Sequence, residues 1–501
     1  MTALDRLTTR FRRIAILDEA VGMLHWDAAA VMPAGGAAAR SEQLATLREL
    51  SHATLTAPET ADELAAAAAA AADPDQRARI ALMHRRWQRA TALPPDLVTA
   101  ASRARSHCEA AWRSARAADD FAAVRPAFES LLSLVREEAA ALAQALGRSP
   151  YDALLDGYEP GLTAADCNHL FDRLLAFLPD LLGRALEVQA SRPAPQPLPG
   201  PFPVARQAEL ARRFMAALGF DFAHGRLDTS AHPFCGGTPD DVRITTRYDE
   251  DDCLKALMGV LHETGHALYE RGLPPLLRHQ PAGEARGMAV HESQSLIVEM
   301  QACRTPEFAA WMAPRLRTAF GGEGAAWATG NIHRLVTRVS RGLIRVDADE
   351  IAYPLHVILR FRLEQALLAG DLAPADLPAA WGDGMADLVG VRPGDDRDGC
   401  LQDIHWYDGA FGYFPTYTFG AVMAAQLFAA AEAARPDLRE RLREGDFRPL
   451  TGWLAVHVHA HGALRSWDEI LRNATGGPLD VARFRGHLER RYLGEAASAS
   501  S

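Results

Sequence analysis

Residues 251–272, DDCLKALMGVLHETGHALYERG, combine the start signal, the apolar spacing and the stop signal of a single helix. Asp251 and Asp252 can cap its first turn, because a carboxylate accepts hydrogen bonds from the free backbone N–H groups there. Gly272, followed by Pro274, supplies the stop. The pattern therefore predicts one continuous amphipathic helix.

Two histidines of this helix are spaced to share a ligand. His262 and His266 lie one turn apart and project from the same face. Two imidazoles in this arrangement can both reach one tetrahedral Zn²⁺. Glu263 lies about 100° around the helix, where it can deprotonate a bound water. Helices also carry such pairs for packing reasons, so a metal centre needs a third ligand.

The third ligand is sought in VHESQSLIVEM, residues 290–300, which predicts a second helix after an intervening loop. Glu292 completes a His₂Glu set with an open fourth position, which is typical of a catalytic zinc and not of a closed structural one. His279 and His291 are competing candidates. His291 and Glu292 are adjacent and cannot easily both face one ion.

Helical patterns dominate the rest of the chain. Residues 5–150 favour successive amphipathic helices, including the alanine tract at 63–73, and helical patterns run from residue 249 almost to 495. Residues 225–248 differ, since their Gly and Pro turn signals and β-branched residues predict a small hairpin or short sheet. We expect a mainly α fold with one small sheet.

Two further segments bear on domain organisation. The proline-rich residues 192–203 are expected to form an extended internal loop and not a linker. The sequence favours one catalytic domain over residues 1–495 and a disordered tail at 496–501.

Composition narrows the class of protein. The chain has 501 residues, 48% of them hydrophobic, and a formal net charge of −11 with interspersed signs, which argues against a nucleic-acid partner. We find no signal-peptide pattern and no apolar run of about 18 residues, so we expect a cytoplasmic protein without a membrane span. The widely spaced cysteines predict reduced thiols; they are Cys108, Cys167, Cys235, Cys253, Cys303 and Cys400.

The motifs together resemble the carboxypeptidase Taq family, metallocarboxypeptidases with an HExxH motif and a downstream HESQ. The chain has HETGH at 262–266 and HESQ at 291–294. Other matching motifs are LHWD (24–27), MP (32–33), HPF (232–234), DVRIT (241–245), IRVDADE (344–350), GCLQDIHW (399–406) and GYFPTYTFG (412–420). The resemblance spans nearly the whole chain.

This resemblance implies a large helical domain with a deep active-site cleft between two halves, lined by the small sheet. It also implies a homodimer with one Zn²⁺ per chain, for which Co²⁺ or Mn²⁺ can substitute, and Glu292 as the third ligand. The expected reaction is release of single amino acids from peptides with a free C-terminus.

The resemblance also reassigns Arg345. A carboxypeptidase needs a cation for the terminal carboxylate of its substrate, and Arg345 of IRVDADE is the expected anchor. Composition alone favours a surface arginine paired with Asp347 or Asp349.

The segment 402–420 offers donors for a developing oxyanion. Tyr417 is preferred over Tyr413, from a loose resemblance to related peptidases, and one of the two tyrosines is expected to lie in the core. His405 is expected to donate a hydrogen bond to substrate.

Residues of the predicted sheet are candidates for substrate contact. His232 and Arg243 would touch an extended peptide that adds to the sheet edge as a strand, whereas Asp241 is expected to form a turn or an ion pair. Residues 24–33, LHWDAAAVMP, suit either a lid or pure packing.

A second group of histidines, His457, His459 and His461, has no accompanying acidic ligand. We therefore expect structural or cleft-lining roles for these three residues.

Two rival functions remain open at this stage. An oligoendopeptidase or dipeptidyl carboxypeptidase would differ in how far the carboxylate anchor lies from the metal. A non-catalytic helical peptide-binding protein with a structural metal would not need Glu263 or an open coordination position.

Overall fold

A computed structural model describes residues 1–494, and the predicted disordered tail at 496–501 lies outside them. The first ten helices are α1 (Ala3–Ala30), α2 (Ala37–Leu55), α3 (Glu59–Ala70), α4 (Pro74–Ala92), α5 (Pro95–Ala118), α6 (Phe121–Leu146), α7 (Pro150–Tyr158), α8 (Ala164–Leu175), α9 (Leu178–Ala190) and α10 (Val204–Leu218). Three strands follow, β1 (Gly225–Thr229), β2 (Phe234–Thr238) and β3 (Asp241–Thr246). The prediction of a mainly α fold with one small sheet is confirmed.

The remaining helices follow the sheet. They are α11 (Cys253–Gly272), α12 (Met288–Leu296), α13 (Pro306–Phe320), α14 (Thr329–Val336), α15 (Ala352–Ala369), α16 (Leu377–Leu388), α17 (Pro415–Ala434), α18 (Leu438–Glu444), α19 (Arg448–His457), α20 (Trp467–Thr475) and α21 (Val481–Tyr492). A π-helix, Ile297–Ala302, extends α12 directly.

The ends of α11 match the sequence signals. Asp252 is the cap, and its carboxylate accepts hydrogen bonds from the backbone N–H groups of Leu254 and Lys255 at 3.0 and 3.1 Å. The helix ends at Gly272. Two short 3₁₀ turns then lead to α12, so the predicted helix–loop–helix return is confirmed.

The sheet has the order β1-β3-β2. β2 and β3 form an antiparallel hairpin whose last pair is Thr238 and Asp241, whereas β1 pairs with β3 in parallel, from Gly225 opposite Val242 to Thr229 opposite Thr246. The predicted short sheet is confirmed, and its parallel pair was not foreseen.

The sheet packs against the helix that carries the HExxH motif. Leu227, Val242 and Ile244 from the strands share a buried apolar cluster with Val260 and Ala267 of α11. Removing these side chains from water stabilises the contact. This packing fixes one side of α11.

The chain divides into two compact units, each built from three stretches. Unit 1 consists of Met1–Ala90, Pro195–Thr337 and Gly420–Asp480; unit 2 consists of Thr91–Ala194, Arg338–Phe419 and the residues from Val481 onward. The division falls inside the proline-rich segment 192–203. The boundary lies between Ala194 and Pro195, and the expectation that this segment is an internal loop stays a prediction. A single catalytic domain over 1–495 stays a prediction.

In unit 2, α15 is buried along most of its length. The Phe361 ring lies 5.7 Å from the Tyr151 ring and 4.9 Å from the Phe171 ring in edge-on contacts, which are favourable for aromatic pairs.

All six cysteines are free thiols, as predicted. Among the described residues, we find no helix with the length and hydropathy that crossing a bilayer requires.

Candidate metal centre

The close approach of α11 and α12 depends on the glycine of the HETGH motif. A Cβ atom at Gly265 would lie 2.4 Å from the backbone oxygen of Gln294 and 2.6 Å from the Cα of Ser295. Real Cβ atoms do not approach backbone atoms so closely. Glycine at this position therefore lets the two helices pack backbone against backbone.

Three side chains from these helices converge on one point. One ligand atom each from His262, His266 and Glu292 lies within 4.8 Å of the other two. The Nε2 atoms of His262 and His266 lie 3.8 and 3.5 Å from Glu292 Oε2. Tetrahedral coordination with bonds of about 2.0–2.2 Å separates ligand atoms by roughly 3.4 Å, so the geometry suits one shared ion.

The competing histidines point elsewhere. His279 lies 3.4 Å from Glu19 through its Nε2, and His291 directs its Nε2 toward Glu270 at 2.8 Å. Neither belongs to the converging group in the described part of the chain.

The outward-facing nitrogen of His262 is held by a carboxylate. His262 Nδ1 lies 3.0 Å from Glu299 Oε2 in the π-helix, and Glu299 Oε1 accepts a hydrogen bond of 2.6 Å from Arg304 Nη2. Such an outer contact fixes the tautomer and the ring orientation of a metal-binding histidine. Sequence reasoning missed Glu299, although it lies in the quoted segment 290–300.

The outward-facing nitrogen of His266 meets His291. Its Nδ1 lies 3.1 Å from the backbone oxygen of His291 and 2.7 Å from the Nδ1 of that residue. Both histidines of the HExxH motif thus direct Nε2 toward Glu292.

Charges in and around the converging group shift the pKa values of its members. Burial opposes the shift, but Glu292 together with Glu299 raises the pKa of His262 to about 10. Burial is likewise outweighed at Glu292, where His262 lowers the pKa to about 2. Glu292 and Glu299 thus favour a positive charge at His262, and the imidazole and carboxylate donors of the group suit zinc.

Glu263 has the setting of a general base. Burial, with a further contribution from the nearby carboxylates, raises its pKa to about 7. A group that titrates near neutral pH can both accept and return a proton.

The close fit around Glu292 involves a second glycine. A Cβ atom at Gly420, in α17, would lie 2.8 Å from Glu292 Cβ. Gly420 ends the quoted motif GYFPTYTFG, so the spacing of this motif has a packing reason.

Arg345 lies in unit 2 and is buried, at 5% exposure. Its Nε and Nη2 donate to Asp403 Oδ1 at 3.0 and 2.7 Å, and Arg360 Nε donates to Asp403 Oδ2 at 2.6 Å. Arg345 Nη1 donates to the Tyr353 hydroxyl at 2.9 Å. The surface pairing with Asp347 or Asp349 that composition favours is therefore not observed.

The residues around Arg345 keep its guanidinium protonated. Burial would lower its pKa, but Asp403 outweighs burial and holds this pKa well above its usual range. The guanidinium carbon also lies 4.9 Å from the centre of the Tyr417 ring and 5.5 Å from that of Phe414, within the range of cation–π attraction.

The three other predicted residues of unit 2 lie together. His405 Nε2 lies 3.2 Å from the Tyr417 hydroxyl, and the Tyr413 ring centre lies 5.1 Å from that of Tyr417. Both tyrosines are partly exposed, so the expectation that one of them lies in the core was wrong. Burial, with Arg345 nearby, lowers the pKa of His405 to about 3, which keeps its imidazole neutral.

The sheet candidates are placed differently from each other. Arg243 lies in β3, the central strand, where it forms an ion pair with Asp241 and lies over the Trp26 ring at 4.5 Å. His232 is exposed and precedes β2, so its expected place within the sheet was wrong. Trp26 is buried, which favours packing for this part of residues 24–33.

The second histidine group does not form a metal site among the described residues. His459 is buried, and its Nε2 lies 3.0 Å from Gln294 Oε1. The His457 ring packs on Trp453 at 4.6 Å. These contacts support structural roles, as expected.

The comparisons with known proteins agree with this geometry. A family model described as carboxypeptidase Taq (M32) metallopeptidase matches residues 6–492. Thermostable carboxypeptidase 1 of Thermus thermophilus is 39% identical over 493 residues, which cover 96% of each chain. Carboxypeptidase 1 of Bacillus subtilis is 32% identical over 500 residues, again covering 96% of each chain.

Solved structures are similar over the same length. Metallocarboxypeptidase 1 of Trypanosoma cruzi matches with a TM-score of 0.94 and 39% identity, over 98% of this chain and 99% of the other. The M32 carboxypeptidase of Deinococcus radiodurans R1 matches with a TM-score of 0.92 and 35% identity, over the same shares.

Proposed function

Since this chain belongs to the carboxypeptidase Taq (M32) metallopeptidase family and is a metallocarboxypeptidase, we propose that it releases single amino acids from peptide C-termini, with Zn²⁺ held by His262, His266 and Glu292. The observation that carries the proposal is the convergence of these three donors beside Glu263. The family resemblance further supports a homodimer, and a cytoplasmic location with Co²⁺ or Mn²⁺ as substitute metals is part of the same proposal.

Held by His262, His266 and Glu292, Zn²⁺ would supply the Lewis acidity that polarises a scissile carbonyl and lowers the pKa of a water molecule. The two histidines would hold the ion through Nε2, because their Nδ1 atoms are engaged elsewhere. Glu292, with its lowered pKa, is a carboxylate at neutral pH and contributes the negative charge of the site.

Glu263 acts as the proton carrier. It accepts a proton from the attacking water and then delivers that proton to the leaving amine. Its pKa of about 7 supports both directions of transfer. Positioned acid–base assistance of this kind contributes about 10²–10⁴-fold to a rate.

Arg345 binds the terminal carboxylate of the substrate in this proposal. Asp403 already occupies the edge formed by Nε and Nη2, and Nη1 also donates to the Tyr353 hydroxyl. The remaining N–H groups of Nη1 and Nη2 are the part that meets a carboxylate. His405 and Tyr417 donate hydrogen bonds to the substrate or to the developing oxyanion, with Tyr413 beside them. We also propose that His232 and Arg243 contact the bound peptide.

Of the rival functions, a non-catalytic binding protein disagrees with membership of a family of peptide hydrolases. We find no observation that favours an oligoendopeptidase or a dipeptidyl carboxypeptidase.

The test is to incubate the protein with peptides that end in either a free acid or an amide, and to follow product masses. Loss of one residue at a time from the free acids alone is expected, and release of dipeptides or internal cleavage would contradict the proposal.

Glu263→Gln is expected to keep bound zinc and to lose turnover about 10²-fold or more. Glu292→Ala is expected to lose the zinc itself, as measured by metal analysis, because only two imidazoles remain.

A further inference from the structure

The two proposed histidine ligands are backed in different ways. His262 contacts the carboxylate of Glu299 directly, with Nδ1 and Oε2 3.0 Å apart. His266 contacts His291 instead, with its Nδ1 2.7 Å from the Nδ1 and 3.1 Å from the backbone oxygen of that residue. His291 Nε2 lies 2.8 Å from Glu270 Oε1. His262 is therefore supported directly by the carboxylate of Glu299. His266 is supported by the carboxylate of Glu270 through the imidazole of His291.

The proton positions in the second chain of contacts follow from the carboxylate at its end. Glu270 can only accept, so His291 carries its proton on Nε2 and leaves Nδ1 as an acceptor. His266 then donates through Nδ1, and its Nε2 keeps a free lone pair on the side that faces Glu292. Glu270 thus fixes the tautomer of His291, and the imidazole and backbone oxygen of His291 together fix that of His266.

We propose that Glu270 and His291 form a relay that positions His266 as a metal ligand and strengthens its binding. This inference rests on the proposed metal binding by His266. Glu270 and His291 are positioning residues, because neither contacts the proposed ion. The relay also gives the histidine of the HESQ motif a role, which is to support a ligand and not to be one.

The arrangement spans the two helices that carry the ligands. Glu270 lies one turn after His266 on α11, and His291 directly precedes Glu292 on α12. The Tyr269 ring packs against His291 at 5.4 Å, which limits the freedom of that imidazole. A role limited to holding α11 and α12 together would use the same contacts. Zn²⁺ affinity and the stability of the metal-free protein are therefore measured separately.

The experiment titrates the metal-free full-length protein with Zn²⁺ against a chromophoric chelator and measures the dissociation constant for each variant. Glu270→Gln has nearly the same shape but lacks the charge, and His291→Leu removes the imidazole acceptor while keeping the backbone oxygen that lies 3.1 Å from His266 Nδ1. Each is expected to weaken Zn²⁺ binding about tenfold or more, as is usual for outer contacts of metal-binding histidines. Thermal unfolding of each metal-free variant is recorded alongside.

Two variants calibrate the measurement. Glu299→Gln alters the direct contact behind His262 and is expected to weaken binding by a similar factor. His279→Asn alters a histidine in the loop between α11 and α12 that does not belong to the converging group. Asparagine tolerates the positive φ of 60° found at this position. This variant is expected to bind Zn²⁺ like the wild type.

Unchanged Zn²⁺ affinity in Glu270→Gln and His291→Leu would overturn the relay. If the Tm of the metal-free variants is also lowered, these residues serve only to hold α11 and α12 together. A wild-type protein that binds Zn²⁺ but cleaves no peptide would contradict the proposed function and leave the relay standing.

Discussion

Arg345 is held as a buried cation by one carboxylate, one hydroxyl and several aromatic rings. In the proposed function this charge binds the substrate's terminal carboxylate, and charged hydrogen bonds are worth about 1.5–3 kcal/mol. Arg345→Ala is therefore expected to reduce kcat/KM about 10²-fold on free-acid peptides, because misplacement of the scissile bond adds to the lost contact. Steady-state kinetics on matched free-acid and amidated peptides measures this, and the amide is expected to lose much less.

Two controls sharpen this measurement. Arg345→Lys should restore activity only in part, since lysine lacks the planar fork that Asp403 and a carboxylate share. Arg341→Ala removes a nearby arginine whose Nη1 donates to the backbone of Val389, and it should leave the ratio between the two peptides unchanged. Equal losses on both peptides in Arg345→Ala would mean that this residue supports the structure and reads no carboxylate.

At the residue scale, the sequence revealed the groups that belong to recognisable spacings. His262, His266 and Glu292 were predicted because helix geometry and the HESQ motif place them together. Glu299 and Asp403 were missed, since a carboxylate that orients a histidine or an arginine leaves no fixed spacing in the chain. Asp403 lies 58 residues from Arg345, and only the fold brings them into contact.

At the element scale, Gly265 controls how closely α11 and α12 approach. Gly265→Ala would place a methyl group 2.4 Å from a backbone oxygen of α12, so the helices must shift apart. We expect a loss of about 1–3 kcal/mol in the free energy of unfolding, as for other overpacked sites, together with weaker Zn²⁺ binding. Thermal unfolding and Zn²⁺ titration measure the two effects.

The same helix offers a matched control. Gly259 has no heavy atom within 4 Å of the position where its Cβ would be placed. Gly259→Ala is expected to be neutral or to stabilise by about 0.5–1 kcal/mol, because alanine favours a helix interior. If Gly265→Ala behaves like Gly259→Ala, the close approach of the helices does not depend on the missing side chain.

Local signals predicted single elements better than their pairing. The cap and stop of α11 were predicted because Asp252 and Gly272 act within one turn of their position. The parallel pairing of β1 with β3 and the π-helix at Ile297–Ala302 were not, since both depend on contacts from outside the segment.

For the whole molecule, Glu364 links stability to pH. It is buried in unit 2 with Tyr151 and Trp406, and burial raises its pKa from 4.5 to about 7. The protonated form is favoured by folding, so this contribution is fully present below about pH 4.5 and is lost as the pH rises through 7. Between pH 5 and 8, the Tm of the wild type is expected to fall relative to that of Glu364→Gln.

The comparison between the two proteins removes the effect of other titrating groups. Thermal unfolding of both in the same buffers at about pH 5, 6, 7 and 8 measures the difference. A difference in Tm that stays constant over this range would contradict the raised pKa of Glu364.

The resemblance implied two halves, but the stretches of chain that form each unit were not predicted from the sequence. Periodicity and turn signals act over a few residues, whereas each unit gathers three distant stretches. The proline-rich segment 192–203 illustrates this, because the same composition suits an internal loop and a connection between units.

The interleaved course of the chain also constrains the order in which unit 1 can be completed during synthesis. All three proposed ligands have left the ribosome well before Gly420–Asp480, the last stretch of their unit, is translated. Gly420 packs against Glu292, so the surroundings of that carboxylate are finished only by residues that emerge more than a hundred positions later. Neither unit exists as an uninterrupted fragment, and a gene shortened after residue 337 would encode the ligands without the stretch that completes unit 1.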